Sequence, residues 1–234
     1  MTLAEFRRAY PTATFTVSGG KPFTYRYYKN PQAKVTLVLL TGGIGLSDLF
    51  YQHFARFAGD FSVLTFDYQI QFGNHGEFAD AVAELFRHLK EKVWLVGQSL
   101  GGVVAQVIAS RHPEVVEGLI LLILSEDDTT FTPVCREDLI ALMSSPTVVT
   151  DLCGGHLALM VRLDEYADLV TKFILERTPR GESAGQFQPA LYYLSISISH
   201  DQAVDGKWHI PRRHKQCPIF LVGIADIVDG CFQR

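Results

Sequence analysis

Short runs of consecutive apolar residues, separated by segments of helical character, recur along much of this chain. They are KVTLVLL (34–40), FSVLTFDY (61–68), VWLVG (93–97) and VEGLILLIL (116–124). A strand without polar alternation is buried on both faces, which is typical of a parallel sheet covered by helices. These runs therefore predict the central strands of an α/β protein.

The segments between the runs predict helices. In residues 77–91, Phe78, Val82 and Leu85 recur at the spacing of one helical face, and residues 164–178 show the same periodicity. Further helices are predicted at 48–59, 101–113 and 135–143.

Two alternating segments precede the first apolar run. ATFTV (13–17) and FTYRYY (23–28) flank Gly19-Gly20 and predict an antiparallel hairpin. One more short strand is predicted at TVVTDL (147–152). The order of elements predicts an α/β fold with an N-terminal antiparallel hairpin and a mostly parallel sheet that carries helices on both faces.

Composition narrows the class of protein. The chain has 234 residues, 47% hydrophobic and 20% charged, which suffices for one large core. A net charge of −4 and the lack of a basic block indicate no nucleic-acid partner. The start, MTLAEFRRAY, lacks the apolar stretch of a signal peptide, and the longest apolar runs are too short to span a bilayer. We therefore expect no membrane partner.

The spacing of the cysteines indicates neither metal binding nor disulfide bonds. The four cysteines include no C-x-x-C pair, so neither a zinc site nor a disulfide framework is indicated. We expect a cytoplasmic protein without a metal or other cofactor.

The motif Gly97-Gln98-Ser99-Leu100-Gly101 follows one of the apolar runs and precedes a predicted helix. Glycines two residues before and after the serine permit a sharp strand-to-helix turn that raises the hydroxyl above the sheet. The helix N-terminus behind it favours developing negative charge. A G-x-S-x-G also occurs by chance as a glycine-rich turn, but this context predicts that Ser99 is a nucleophile.

A serine nucleophile needs a base, and the base needs a group that orients it. Three acids, Glu126, Asp127 and Asp128, follow the run that ends at residue 124, and His156 follows the strand predicted at 147–152. In a parallel sheet these strand ends meet at one edge, where the chemistry of such folds takes place. His156 is therefore predicted to be the general base rather than a core histidine.

These motifs resemble the α/β-hydrolase superfamily, and particularly its maspardin-like members, over roughly residues 10 to 178. The carriers are LLTGGIGLSDLFYQHF, FSVLTFDYQIQF and VWLVGQSLGGVVAQVIASRHPEVVEGLIL. The resemblance implies an acid after a strand, a small residue and two variable residues, which matches Asp128 in Ser-Glu-Asp-Asp. Its histidine motif matches Gly154-Gly155-His156. Asp226 also follows a strand-like run, but it comes after the histidine and breaks the family's order.

The resemblance also implies an oxyanion hole of two backbone N–H groups. Leu100, directly after the nucleophile, matches one donor. The other falls in Thr41-Gly42-Gly43-Ile44-Gly45, where Thr41 replaces the histidine that the family usually has. Gly43 is the better match, with Ile44 as the alternative.

Two departures from the family pattern stand out. The run 116–124 leads straight into the acids, which leaves no inserted cap domain between them. The family's last helix ends near residue 178, so we expect a hydrolase core at 1–178 and a C-terminal extension of unknown role at 179–234.

Two functions are compatible with these residues. The first is a serine hydrolase of the esterase type, with a Ser99–Asp128–His156 triad, that cleaves a small ester, thioester or amide through an acyl-enzyme. Its partner would be a small-molecule acyl substrate, and nothing in the sequence indicates the oligomeric state. The second is a non-catalytic binding or adaptor protein on the same scaffold.

Overall fold

A five-stranded sheet forms the centre of the molecule in the computed structural model, which describes residues 1–116, 121–123, 125–129, 133, 137, 147–149 and 152–177. Its strands lie in the order β1-β2-β4-β3-β5. They are β1 (Thr12–Thr16), β2 (Pro22–Tyr28), β3 (Thr36–Leu40), β4 (Ser62–Phe66) and β5 (Val93–Gly97). Strand β3 runs parallel to β4 and β5, whereas β2 is antiparallel to β1 and β4. The predicted hairpin therefore forms the antiparallel edge of a mixed sheet.

A second parallel pair consists of β6 (Leu121–Ile123) and β7 (Thr147–Val149). A parallel bridge joins Val93 of β5 to Val116, so the segment that leads into β6 starts beside the main sheet. The rest of the strand predicted at 116–124 lies outside the described residues.

The predicted helices at 48–59, 77–91, 101–113 and 164–178 are present with slightly different ends. The α-helices among the described residues are α1 (Leu3–Ala9), α2 (Tyr51–Phe57), α3 (His75–Leu89), α4 (Leu100–Arg111), α5 (Ala158–Val161) and α6 (Leu163–Arg177). Short 3₁₀ helices span Ser47–Phe50, Pro113–Val115 and Gly155–Leu157. The helix predicted at 135–143 lies outside the described residues apart from Glu137. In the described part of the chain, no helix has the length and apolar character needed to cross a membrane.

Alternate residues of β3 serve two separate cores. Leu37 and Leu39 belong to the apolar cluster that contains residues of α1, α2 and α6. Val38 and Leu40 belong to the cluster formed with α3 and α4 on the opposite face. All residues of β3 are buried, and each of its leucine and valine side chains contributes roughly 1.5–3 kcal/mol to folding. The sheet is therefore covered on both faces, as the continuous apolar runs predict.

Helix α1 is an element that the strand and helix patterns above do not predict. Thr2 and Glu5 form a capping box, in which Thr2 Oγ1 accepts a hydrogen bond from the Glu5 N–H and Glu5 Oε2 accepts one from the Thr2 N–H. Phe6 is fully buried against Phe54 of α2. The T-x-x-E spacing is the signal that marks this helix in the sequence.

His53 connects α2 to α5. Its side chain is buried, and Nε2 donates a hydrogen bond of 2.9 Å to the carbonyl oxygen of Leu159. Within the described part of the chain, Nδ1 has no hydrogen-bond partner, so a proton on this atom would be buried without an acceptor. Burial accordingly lowers the pKa of His53 below its ordinary value.

This burial predicts a pH dependence of stability. The unfolded chain protonates His53 near a pKa of about 6.5, whereas the folded chain resists protonation, so the free energy of unfolding should fall as the pH decreases below about 6.5. The contribution of His53 cannot exceed about 1.4 kcal/mol per pH unit. The variant His53→Gln keeps a hydrogen-bond donor but cannot titrate. When the free energy of unfolding is measured with urea at about pH 7.5 and at about pH 5.5, its decrease between the two pH values should be smaller in this variant than in the wild type. An equal loss in the two proteins would contradict the assignment.

Candidate active site

Ser99 lies at the turn between β5 and α4 with φ 54° and ψ −120°. A positive φ is unfavourable for a residue with a side chain and typically costs about 1–3 kcal/mol. Ser99 occupies the N-cap position of α4, yet its side chain makes no capping hydrogen bond. The exposed side chain is therefore available to other groups at the end of the sheet.

The two glycines of the motif explain how this turn is possible. A Cβ added to Gly97 would lie 2.3 Å from the carbonyl carbon and oxygen of Gly101. A Cβ added to Gly101 would lie 2.1 Å from the carbonyl oxygen of Leu40. Both distances are far inside van der Waals contact, so helix α4 can start this close to β5 and β3 only with glycine at these positions.

His156 lies between Ser99 and Asp128. Its Nε2 atom is 3.0 Å from Ser99 Oγ, and its Nδ1 atom is 3.0 Å from Asp128 Oδ2. A carboxylate can only accept a hydrogen bond, so Nδ1 donates to Asp128 and the Nε2 lone pair faces the serine hydroxyl. The structure thus brings together the three residues that the sequence places after three different strands.

The neighbouring acids take other places. The carboxylate of Asp127 accepts hydrogen bonds from the backbone N–H groups of Gly154 and Gly155, while the Glu126 side chain is exposed. Asp128, in contrast, is buried, with 8% of the residue's surface exposed. Asp226 lies outside the described residues. Among the acids whose positions are described, it is Asp128 that contacts the imidazole of His156.

The loop of His156 is also held by the turn at the nucleophile. His156 belongs to the short helix Gly155–Leu157, and its carbonyl oxygen accepts a hydrogen bond of 3.3 Å from Gln98 Nε2. The other end of the same amide, Gln98 Oε1, lies so close to Gly42 that a Cβ there would be 2.3 Å away. Gln98 therefore contacts both the loop of the histidine and the loop after β3.

The positions predicted to form an oxyanion hole lie beside this turn. Leu100 is the first residue of α4, where a backbone N–H has no acceptor within the helix. Gly43 lies in the loop after β3, which a hydrogen bond from Gly45 N–H to Gly42 O closes at 2.9 Å. Tyr68, in the segment that follows β4, holds this loop, because its hydroxyl donates to the carbonyl oxygen of Thr41. The roles of Gly43 and Leu100 stay predictions.

Cys153 is exposed, and it is a free thiol. Within the described ranges, no group of three or more histidine, cysteine, aspartate or glutamate side chains is arranged to hold a metal ion.

Comparison with known proteins identifies the fold. No protein-family model and no curated protein matches the sequence. The solved structures of similar fold include carboxylesterase CesB from Bacillus subtilis, with a TM-score of 0.60 and 15% identity over 75% of this chain and 96% of that one. They also include an α/β hydrolase enzyme from a Medee basin deep-sea metagenome library, with a TM-score of 0.63 and 12% identity over 73% of this chain and 100% of the other. A CIB-like hydrolase from Thermoplasma acidophilum has a TM-score of 0.60 and 14% identity over 71% and 98% of the two chains. This chain therefore has the α/β-hydrolase fold, and the predicted fold class is confirmed.

The contact of Gly101 predicts a sharp difference between adjacent glycines. Gly101→Ala should reduce the free energy of unfolding by about 1–3 kcal/mol or more, because the new methyl group collides with backbone atoms that cannot move aside. Gly102→Ala is the matched control, since among the described residues a Cβ there meets only the Gly97 carbonyl oxygen, at 3.8 Å. Alanine in a helix is favoured over glycine by about 1 kcal/mol, so this variant should be as stable as the wild type or more stable. Urea unfolding measures both, and similar destabilisation of the two variants would contradict the contact.

Proposed function

We propose that this protein is a serine hydrolase that cleaves a small ester, thioester or amide through an acyl-enzyme intermediate. The observation that carries the proposal is the line of hydrogen bonds from Ser99 Oγ through the His156 imidazole to Asp128. Nucleophile, base and orienting acid are the three groups that a serine requires to attack a carbonyl carbon. The α/β-hydrolase fold supports the same reaction class, since CesB is named as a carboxylesterase.

In the first half of the proposed reaction, Ser99 Oγ attacks the carbonyl carbon while His156 Nε2 takes the hydroxyl proton. The Asp128 carboxylate holds the imidazole in orientation and stabilises the imidazolium that forms. The carbonyl oxygen becomes an oxyanion and accepts hydrogen bonds from the N–H groups of Leu100 and Gly43. When the tetrahedral intermediate collapses, the leaving group takes the proton from Nε2 and departs, which leaves the acyl group on Ser99.

In the second half, water replaces the leaving group. His156 Nε2 removes a proton from the water as its oxygen attacks the acyl carbon, and it then returns that proton to Ser99 Oγ. The products are the free acid and the regenerated serine. No redox step and no further reactant are needed, because the only bonds exchanged are those of acyl transfer to water.

The α/β-hydrolase scaffold also hosts the alternative that the sequence leaves open, a non-catalytic binding or adaptor protein. The maspardin-like part of the resemblance, which rests on the sequence motifs alone, is the basis for that alternative. A protein that only binds has no need of an imidazole 3.0 Å from a serine hydroxyl, and this contact favours the enzyme. Covalent labelling separates the two functions.

A fluorophosphonate probe should therefore label the folded protein at Ser99. The expected result is a covalent adduct on the peptide that contains Ser99, with none in Ser99→Ala and much slower labelling in His156→Gln, which lacks the base. Intact-mass and peptide mass spectrometry measure the adduct, and circular dichroism establishes that each variant is folded. A folded wild-type protein without an adduct would favour the binding function instead.

We further propose that the site is open, without the inserted cap of many relatives. Only residues 124–127 separate β6 from Asp128, which is too short a stretch for an inserted domain. Ile44, next to Gly43, and Leu157, next to His156, are 70% and 56% exposed. Exposed apolar side chains next in the chain to Gly43 and His156 are consistent with a shallow acyl-binding surface.

An open site predicts weak selectivity for acyl-chain length. Each methylene that is fully buried contributes about 0.8 kcal/mol, or about four-fold in kcat/KM, and a shallow surface buries few of them. Across p-nitrophenyl esters from acetate to octanoate, kcat/KM, corrected for the uncatalysed rates, should vary by less than about ten-fold. A closed pocket would give a range above about a thousand-fold, and such a range would contradict the open site.

A further inference from the structure

We infer that Asp127 is a positioning residue, whose carboxylate holds the loop that carries His156. The inference builds on the proposed function, in which His156 is the base. Asp127 Oδ1 accepts from the Gly154 N–H at 3.0 Å and from the Gly155 N–H at 2.9 Å, and Oδ2 lies 3.0 Å from the Gly154 nitrogen. The anchored residues directly precede His156. Their backbone therefore determines the position of the His156 Cα atom, from which the imidazole extends.

The backbone of the loop is shaped to receive this carboxylate. Gly154 has φ 135° and Gly155 has φ 62°, which are conformations that glycine adopts readily and other residues avoid. In this turn the N–H groups of the two successive residues point at the same carboxylate, and successive backbone N–H groups of a turn can form a concave site for an anion. A Cβ on Gly154 would also lie 2.7 Å from Val161 Cγ2 and 2.9 Å from Ala158 Cα. Gly154 is therefore required for the approach of α5, and both glycines adopt the positive φ angles that accompany the hydrogen bonds to Asp127.

The adjacent residues Asp127 and Asp128 contact different parts of the segment that contains His156. Asp128 contacts the imidazole through Nδ1, and Asp127 binds the backbone just before it. The turn that presents both acids is closed by a hydrogen bond of 3.1 Å from the Asp128 N–H to the Ser125 carbonyl oxygen. A single rigid turn thus sets the position of the side chain and of its backbone together. A misplacement of about 1 Å in such a geometry can lower a rate about a hundred-fold.

Kinetic measurements distinguish a loss of anchoring by Asp127 from a general loss of stability. If the loop shifts, the rate of the chemical step falls while substrate binding is retained, so kcat should decrease with little change in KM. Asn at position 127 keeps one carbonyl oxygen for the glycine N–H groups but loses the charge. Its effect should therefore be intermediate between those of Asp and Ala.

The experiment compares Asp127→Ala and Asp127→Asn with Asp128→Asn and with Glu126→Gln, which removes an exposed charge from the same turn. For p-nitrophenyl acetate we expect kcat to fall about a hundred-fold in Asp127→Ala, less in Asp127→Asn, and about 10⁴-fold in Asp128→Asn. In Asp127→Ala and Asp127→Asn, KM should change less than about three-fold. The Glu126→Gln variant should keep wild-type kinetics.

A second readout does not depend on activity. Amide hydrogen exchange of the peptide that covers residues 152–160 should be faster in Asp127→Ala, with the peptide of β5 unchanged. Unchanged exchange at 152–160 would overturn the anchoring, whether or not the protein is a hydrolase. Faster exchange with wild-type kcat and wild-type labelling of Ser99 would overturn the positioning role alone. A wild-type protein that the probe does not label, with the exchange change present, would leave the anchor in place and refute the proposed function.

Discussion

The approach of helix α4 to the ends of β3 and β5 is the constraint on which the rest of the site depends. Two backbones meet where Gly101 faces the Leu40 carbonyl oxygen, at a distance that leaves no room for a side chain. Because the helix starts this close to the sheet, the chain turns sharply at Ser99 and adopts a strained conformation there. The cost of that strain is small beside the burial of two cores, one on each face of the sheet.

The loops around the serine depend on the same contact. Gln98, which sits between Gly97 and Ser99, contacts Gly42 in the loop after β3 and donates to the His156 carbonyl oxygen. On the far side, His53 holds the Leu159 carbonyl oxygen, and Asp127 holds the glycines before His156. The histidine therefore lies on a short segment that is fixed at both ends.

Much of this arrangement could be predicted from the sequence, because the signals are local. Continuous apolar runs predict buried strands, and G-x-S-x-G predicts a tight turn, since both depend on residues next to each other in the chain. The choice of Asp128 over Glu126 and Asp127 rests on the spacing that the family resemblance implies and not on a local signal, because it depends on which carboxylate faces a loop 28 positions away along the chain. The anchoring contacts of Asp127 and His53 were missed for the same reason. Helix α1 carried a readable local signal in Thr2 and Glu5, but apolar periodicity over so short a segment does not reveal it.

The strained turn at Ser99 also determines which other side chains could occupy position 99. The turn at residue 99 depends on the absence of side chains at Gly97 and Gly101, where a Cβ would collide with backbone atoms. A cysteine introduced there would be presented at the same point, toward the same imidazole and beside the same helix start. The backbone would therefore present another short side chain at the same position. A single exchanged atom, sulfur in place of oxygen, would set a thiol where the hydroxyl lies without any rebuilding of the fold.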